Sequence, residues 1–299
     1  MNDDPLGIGV SLNETYSGTF TDTEPARPAL EVMPSKPDCY IYRIDNSTLE
    51  KWQTCPRAAE QYIINGREKP GSPALNFGSG AHVGWEVLGR GGLNDVALQA
   101  AKEAVTEHFL TNPQPEGEYR TLEYCVDMLE KYVKKWSLSR CSVVEHDGTK
   151  LVEFPFSLCI GEIEVNTDLA YTASQLLGKQ ACEDNRKNEG EQLYVKRLYF
   201  FWSGKVDQIV EFDDRRWVMD HKTTSMGGAT FYADFELSQQ TIGYVWAARQ
   251  MFDFEIEGFL LDAAFCRRVT KTGKGLEFDR QFFTYSEWHL QEWMDDIKS

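Results

Sequence analysis

Apolar positions along this chain recur first at a helical period and then in alternation, and the change divides it. Residues from Met1 to about Pro37 are rich in Gly, Ser, Thr, Asp, Glu and Pro with no sustained period, the pattern of a flexible tail, and 38–299 reads as one domain. Ser47-Thr48-Leu49-Glu50 has the spacing of a capping box and opens a helix that carries Leu49, Trp52 and Tyr62 inward. Helical patterns follow near Gly80 to Leu88, Val96 to Leu110 and Leu122 to Trp136, so the front third is mostly helical. From Leu151 the pattern becomes β-rich and aromatic, in Leu151 to Cys159 and in Leu193 to Phe201, with the polar stretch Gly178 to Glu191 as an exposed excursion between them. Strands are expected over Gly204 to Phe212 and Arg216 to His221, joined by the short polar link Asp213-Asp214-Arg215. A helix from about Glu236 to Met251, strands near Gly258 to Cys266 and Leu276 to Thr284, and a helix opening at Ser286 complete the pattern. The fold class is therefore α/β, a central mixed sheet flanked by helices with a helical N-terminal cap.

Composition narrows the reading. With 299 residues, 41% of them apolar, and 8 Trp, 13 Tyr and 17 Phe, the chain can bury a substantial core. Its net charge of -16 is not that of a protein that coats nucleic acid unspecifically, although carboxylates that hold cations contribute to such a balance. The cysteines (Cys39, Cys55, Cys125, Cys141, Cys159, Cys182, Cys266) are scattered and odd in number, which argues against a disulfide framework or zinc ribbon and fits a reducing cytoplasm. No basic-then-apolar leader follows Met1, and no apolar run approaches the ~20 residues of a membrane span, so no membrane association is expected.

Candidate chemistry sits on the strand pair. Asp207 lies among aliphatic residues in Gly204-Lys205-Val206-Asp207-Gln208-Ile209, and Asp220 closes the apolar strand Trp217-Val218-Met219-Asp220. A hairpin brings the two acids together. Side chains alternate along a strand, so Asp220 and Lys222 share a face while His221 offers its carbonyl from between them. Carboxylates suit a hard divalent cation, and an ammonium beside them can organise a water and stabilise charge on a phosphate. The same D-x-K could also be an exposed ion pair at a strand end, and spacing alone does not separate the two.

Three successive stretches, Gly204-Lys205-Val206-Asp207, then Asp220-His221-Lys222-Thr223-Thr224, then Gln240-Thr241-Ile242-Gly243-Tyr244, resemble the motifs of RecB-type nucleases in the PD-(D/E)XK superfamily, a branch that includes the CRISPR-adaptation exonucleases. Upstream, Gly78-Ser79-Gly80-Ala81-His82-Val83-Gly84-Trp85-Glu86 resembles the family's His-bearing helix. The resemblance covers roughly Ile44 to Trp293 and implies a restriction-endonuclease-like core. It also implies a metal-dependent (exo)deoxyribonuclease acting on single-stranded DNA or duplex ends, in recombination, repair or replication. Mg2+ or Mn2+ would be held by His82, Asp207, Asp220 and the His221 carbonyl. Lys222 would organise the nucleophile, while Gln240 and Tyr244, one helical turn apart, would orient substrate and support Lys222. Recombination or replication proteins are the implied partners.

Cys55-Pro56 also fits the family's N-terminal pattern, in which some members use such a Cys for a [4Fe-4S] cluster. After Tyr244 these residues hold only Cys266, too few thiolates for one, so no iron-sulfur cluster is expected within these residues and Cys55 is expected to be buried packing. His108, His146 and His289 lack partners at ligand spacing and read as surface or structural residues. Gly227-Gly228 carries no nucleotide-loop signature. The basic run Arg267 to Lys274 is either a DNA-backbone contact or a solvated hairpin tip. Two rivals keep the fold or the metal without this activity: a DNA-end-binding subunit lacking turnover, and a metal-dependent phosphodiesterase acting on small substrates.

Overall fold

The computed structural model describes residues 30–32, 39–57, 59, 71–164, 197–268 and 275–298. The described strands are β1 (Leu30–Val32), β2 (Cys39–Ile44), β3 (Ser142–Val143), β4 (Glu145–His146), β5 (Thr149–Lys150), β6 (Val152–Glu164), β7 (Arg197–Phe212), β8 (Arg215–Thr224), β9 (Gly258–Cys266) and β10 (Leu276–Thr284). The described helices are α1 (Asn46–Thr54), α2 (Pro73–Gly91), α3 (Asp95–Thr111), α4 (Leu122–Trp136), α5 (Ala229–Glu236), α6 (Gln239–Met251) and α7 (Glu287–Lys298). Chain contacts divide into two compact units, one of residues 1–67 and 157–204, the other of 68–156 and 205–299.

In the first unit β1 pairs antiparallel with β2, and β2 runs parallel to the opening of β7 from Cys39↔Arg197 to Ile44↔Trp202. Neither β1 nor β2 stands out in the sequence pattern, and Leu30–Val32 lies inside the stretch expected to be a tail. Ile41 and Tyr199 are buried, with Cys159 and Phe201 packed against them. Helix α1 is capped by Asp45, whose carboxylate accepts the Thr48 N–H at 2.7 Å. The expected Ser47 cap is therefore displaced by an ionised acceptor two residues earlier, which satisfies a free N–H and favours the positive helix terminus. Cys55 is exposed rather than buried, because it is the C-cap of α1 and its N–H is spent on the Lys51 carbonyl. Tyr62 and the excursion 178–191 lie outside the described residues.

In the second unit β7 turns into β8 through Asp213 and Asp214, both left-handed at φ 50° and 60°, as a two-residue hairpin turn requires. Strand β8 is parallel to β9 and β9 antiparallel to β10, giving a mixed sheet. Strand β9 is buried along its whole length. Helices α2, α3 and α4 cover one face, their core of Phe77, Trp85, Val105, Phe109, Met128 and Leu129 joining Ala264 and Cys266 of β9. Gln240 of α6 reaches Asp220, and Asp220 points away from the α2 side, so helices flank both faces of the sheet.

Three boundaries differ from the sequence reading. Helix α2 starts at Pro73 rather than near Gly80, because the Ser72 hydroxyl accepts the Leu75 N–H and proline is compatible with a first turn. The expected strand break before Gly204 is absent, and 197–212 is one strand. The expected helix from Glu236 starts at Gln239, where the Ser238 hydroxyl accepts the Thr241 N–H and caps it, and a separate short helix, α5, ends at Glu236.

Candidate active site

Helix α2 delivers His82. Its inward face carries Phe77, Ala81, Trp85 and Leu88 at helical spacing, all buried. Glycines at 80 and 84 let neighbouring helices come close: an added Cβ would stand 2.6 Å from Phe109 Cε2 and 2.7 Å from Leu129 Cδ1. With the helix so seated, the His82 ring meets Trp85 edge-on at 5.6 Å, and its Nδ1 lies 3.3 Å from Asp207 Oδ2.

The second group comes from the fork between β7 and β8. Their ladder runs from the hairpin to Gln208↔Met219. One residue beyond that pair, the Asp207 carboxylate takes the place of a main-chain acceptor and receives the His221 N–H at 2.8 Å. The N–H and C=O of one strand residue point to the same edge, so the His221 carbonyl opens toward the same fork. On β8, Asp220 and Lys222 share a face as expected: Lys222 Nζ lies 2.7 Å from Asp220 Oδ2, and Gln240 Nε2 donates to Asp220 Oδ1 at 3.1 Å. The buried Asp220 Oδ2 makes no well-aligned hydrogen bond. Tyr244, one turn after Gln240, is buried with its ring edge-on to Phe156 at 5.5 Å.

Electrostatics tie these groups together. Burial, then the charge of Asp220, pushes Asp207 well above the usual carboxylate range, while Lys222 and the His221 N–H act the other way. Burial alone would lower Lys222, but Asp220 and Asp207 outweigh it and hold the amine above its ordinary value. Burial pulls His82 down to about 4, only partly offset by Asp220, so at neutral pH its imidazole is uncharged and has a lone pair to give.

One acid in the cluster was not singled out from the sequence. Glu153, in β6, has a left-handed backbone at φ 53°, uncommon for a residue other than glycine. Its carboxylate is paired with Lys205 Nζ at 2.5 Å, and burial, partly offset by Lys205, raises its pKa. Ligand atoms of His82, Glu153 and Asp207 all lie within 4.8 Å of one another. His82, Glu153 and Asp207 thus offer one nitrogen and two carboxylate donors close enough together to hold a divalent ion, and the Asp220 carboxylate, paired with Lys222, lies close enough to act on both His82 and Asp207 electrostatically. The sequence signal for Glu153 was a single acid in an apolar stretch, which spacing could not connect to the other acids.

Outside this cluster, His108 Nε2 lies 3.0 Å from Asn76 Oδ1 and joins α3 to α2, in keeping with a structural part. Arg267 pairs with Glu277 at 2.6 Å, and residues 269–274 of the basic run lie outside the described residues. No described helix is long and apolar enough to cross a membrane.

Comparison with known families matches the model of the PD-(D/E)XK nuclease superfamily to residues 46–296, which spans every residue of the cluster. No curated protein matches the chain.

Proposed function

The chain belongs to the PD-(D/E)XK nuclease superfamily, whose members are metal-dependent hydrolytic nucleases, and from that premise we propose an exonuclease that hydrolyses DNA phosphodiester bonds at the β7–β8 fork. The observation that carries this reading is the convergence there of an imidazole, three carboxylates and an ammonium from α2, β6, β7 and β8. In this reading His82, Asp207, Asp220 and the His221 carbonyl hold the cation, with Glu153 beside them. When bound, Mg2+ or Mn2+ supplies Lewis-acid activation of water and of the phosphoryl oxygens.

The chain's own groups do the rest. Asp207 and Asp220 fix the position of the attacking water by accepting its hydrogens, so that its oxygen is presented to phosphorus. Lys222, held as an ammonium by the two acids, orients that water and stabilises negative charge as the P–O bond to the leaving group breaks. Gln240 anchors Asp220 through its amide N–H, and in this reading it orients the substrate together with Tyr244, one turn along the same helix. The chain order His82, Asp207, Asp220, Lys222, Gln240, Tyr244 supports the RecB-type branch, with DNA ends as substrate and recombination, repair or replication proteins as associates.

The test is end-labelled single-stranded and duplex DNA, with RNA of the same sequence, incubated with wild type and Asp220→Ala in Mn2+. Stepwise shortening of DNA by wild type alone is expected. Equal degradation by Asp220→Ala, or an intact substrate in every wild-type reaction, contradicts the reading.

A further inference from the structure

His221, Asp262 and Arg280 stand in one row across three strands. His221 is the register partner of Asp262 in the parallel β8–β9 pair, and Asp262 is the partner of Arg280 in the antiparallel β9–β10 pair. Their side chains therefore share a face, and they meet: His221 Nδ1 lies 3.4 Å and Arg280 Nη2 3.1 Å from Asp262 Oδ2. The Tyr132 hydroxyl of α4 donates to the same oxygen at 2.5 Å, and the His221 ring stacks on Trp85 of α2 at 4.6 Å and 14°. His221 and Asp262 are 2% and 1% exposed, so this is a polar row, with the Asp262–Arg280 ion pair in it, inside the core and not a surface pair.

Such a row is expensive for stability alone. Desolvating buried charges offsets much of their attraction, and apolar residues of similar volume commonly do as well or better. Its value lies in what the neighbouring residues leave undecided. Strand β9 reads Gly-Phe-Leu-Leu-Asp-Ala-Ala-Phe-Cys and is buried on both faces, so sliding it against β8 would keep apolar groups inside in several registers. Asp262 is the one charged side chain in β9, and together with Gly258, where a Cβ would stand 2.1 Å from the Phe283 carbonyl oxygen, it distinguishes one register from the next. Beyond Met219 the β7–β8 ladder ends and β8 is paired only with β9, so the row braces the stretch of β8 in which the His221 N–H meets Asp207 and Asp220 meets Gln240.

We propose that the row formed by the side chains of His221, Asp262 and Arg280 is a register lock that positions the metal-holding end of β8, so that these side chains set the affinity of the centre without touching its occupants. The proposal rests on the metal-centre reading above, and Mn2+ binding measured without DNA tests it apart from catalysis. The first variant, His221→Phe combined with Asp262→Leu and Arg280→Met, replaces the row by apolar groups; the second, His221→Phe alone, keeps a ring against Trp85 and leaves Asp262 with Tyr132 and Arg280.

Calorimetric titration of Mn2+ and thermal unfolding are measured on each. The expected result is a melting temperature at or above wild type for the triple variant, with Mn2+ bound at least about ten-fold more weakly, the size seen when groups behind metal ligands are lost. If the triple variant does not fold, the single variant decides by the same titration. Wild-type Mn2+ affinity in a folded variant overturns the lock and leaves the metal centre standing. Absence of Mn2+ binding by wild type overturns both.

Discussion

The His221 main-chain N–H donates to the Asp207 carboxylate at 2.8 Å, so the strand that presents Asp220 and Lys222 is tied directly to the acid opposite it. Asp207 is also buried beside a second carboxylate, and its pKa is raised in the folded protein. An acid with a raised folded pKa binds its proton more tightly in the native state than in the unfolded one. Its stabilising contribution is present below the ordinary aspartate value and is lost as pH rises through the raised one. The metal-free protein should therefore lose stability over that range. Asp207→Asn should remove this loss, raising the metal-free melting temperature at neutral pH by a few degrees and abolishing the stabilisation that Mn2+ gives. Melting curves against pH, with and without Mn2+, check both effects; a variant still stabilised by Mn2+ contradicts the assignment.

Lys222 faces Asp220 at 2.7 Å and is held charged. Its replacement by Met keeps the apolar stem and removes the ammonium. The expected outcome is a fall in kcat of about 10²–10⁴-fold with Mn2+ affinity little changed, because in the proposed mechanism the amine acts on water and phosphate, not on the cation. Single-turnover cleavage together with Mn2+ titration separates the two effects.

Glu153 belongs to the centre if its left-handed backbone serves to aim its carboxylate at His82 and Asp207. Glu153→Gln preserves shape but removes the negative charge that Lys205 faces. Mn2+ affinity should fall by about ten-fold. Unaltered affinity would reduce Glu153 to a salt-bridge partner of Lys205.

Acid stability has a separate origin. Burial alone would raise Asp262, but the hydrogen bond from His221 and the charge of Arg280 outweigh it and hold the carboxyl at about 2. A depressed folded pKa gives stability that is present above the unfolded value of 3.8 and is lost as pH falls toward 2. The contribution is on the order of 2 kcal/mol. Asp262→Asn should lower stability at neutral pH and flatten its dependence between about pH 4 and pH 2, measured by denaturant titration at each pH.

What the sequence disclosed follows from how local each signal is. Asp207, Asp220 and Lys222 were legible because a short turn and strand alternation determine their juxtaposition, and Gln240 because it stands in a motif that resembles the family's, with α5 and the opening of α6 between it and β8. His82 was placed by motif order, although its helix begins a full two turns earlier than its apolar pattern suggested, where Ser72 and Pro73 make the start. Glu153 was hidden because its role depends on a backbone conformation that no side-chain pattern encodes. The row of His221, Asp262 and Arg280 was hidden for a different reason: strand register between distant segments is a tertiary property, and β9 is too uniformly apolar to announce it. The cap at Asp45 in place of Ser47 is a local competition between two good acceptors that only the entry path of the chain decides.

The most direct measurement is anomalous diffraction from crystals of the wild-type protein soaked in Mn2+. The account predicts a manganese peak at the β7–β8 fork, within coordination distance of His82, Asp207 and Asp220 and of the His221 carbonyl oxygen. A peak bound elsewhere, with the fork closed by the Lys222–Asp220 pair and holding no ion, would contradict it.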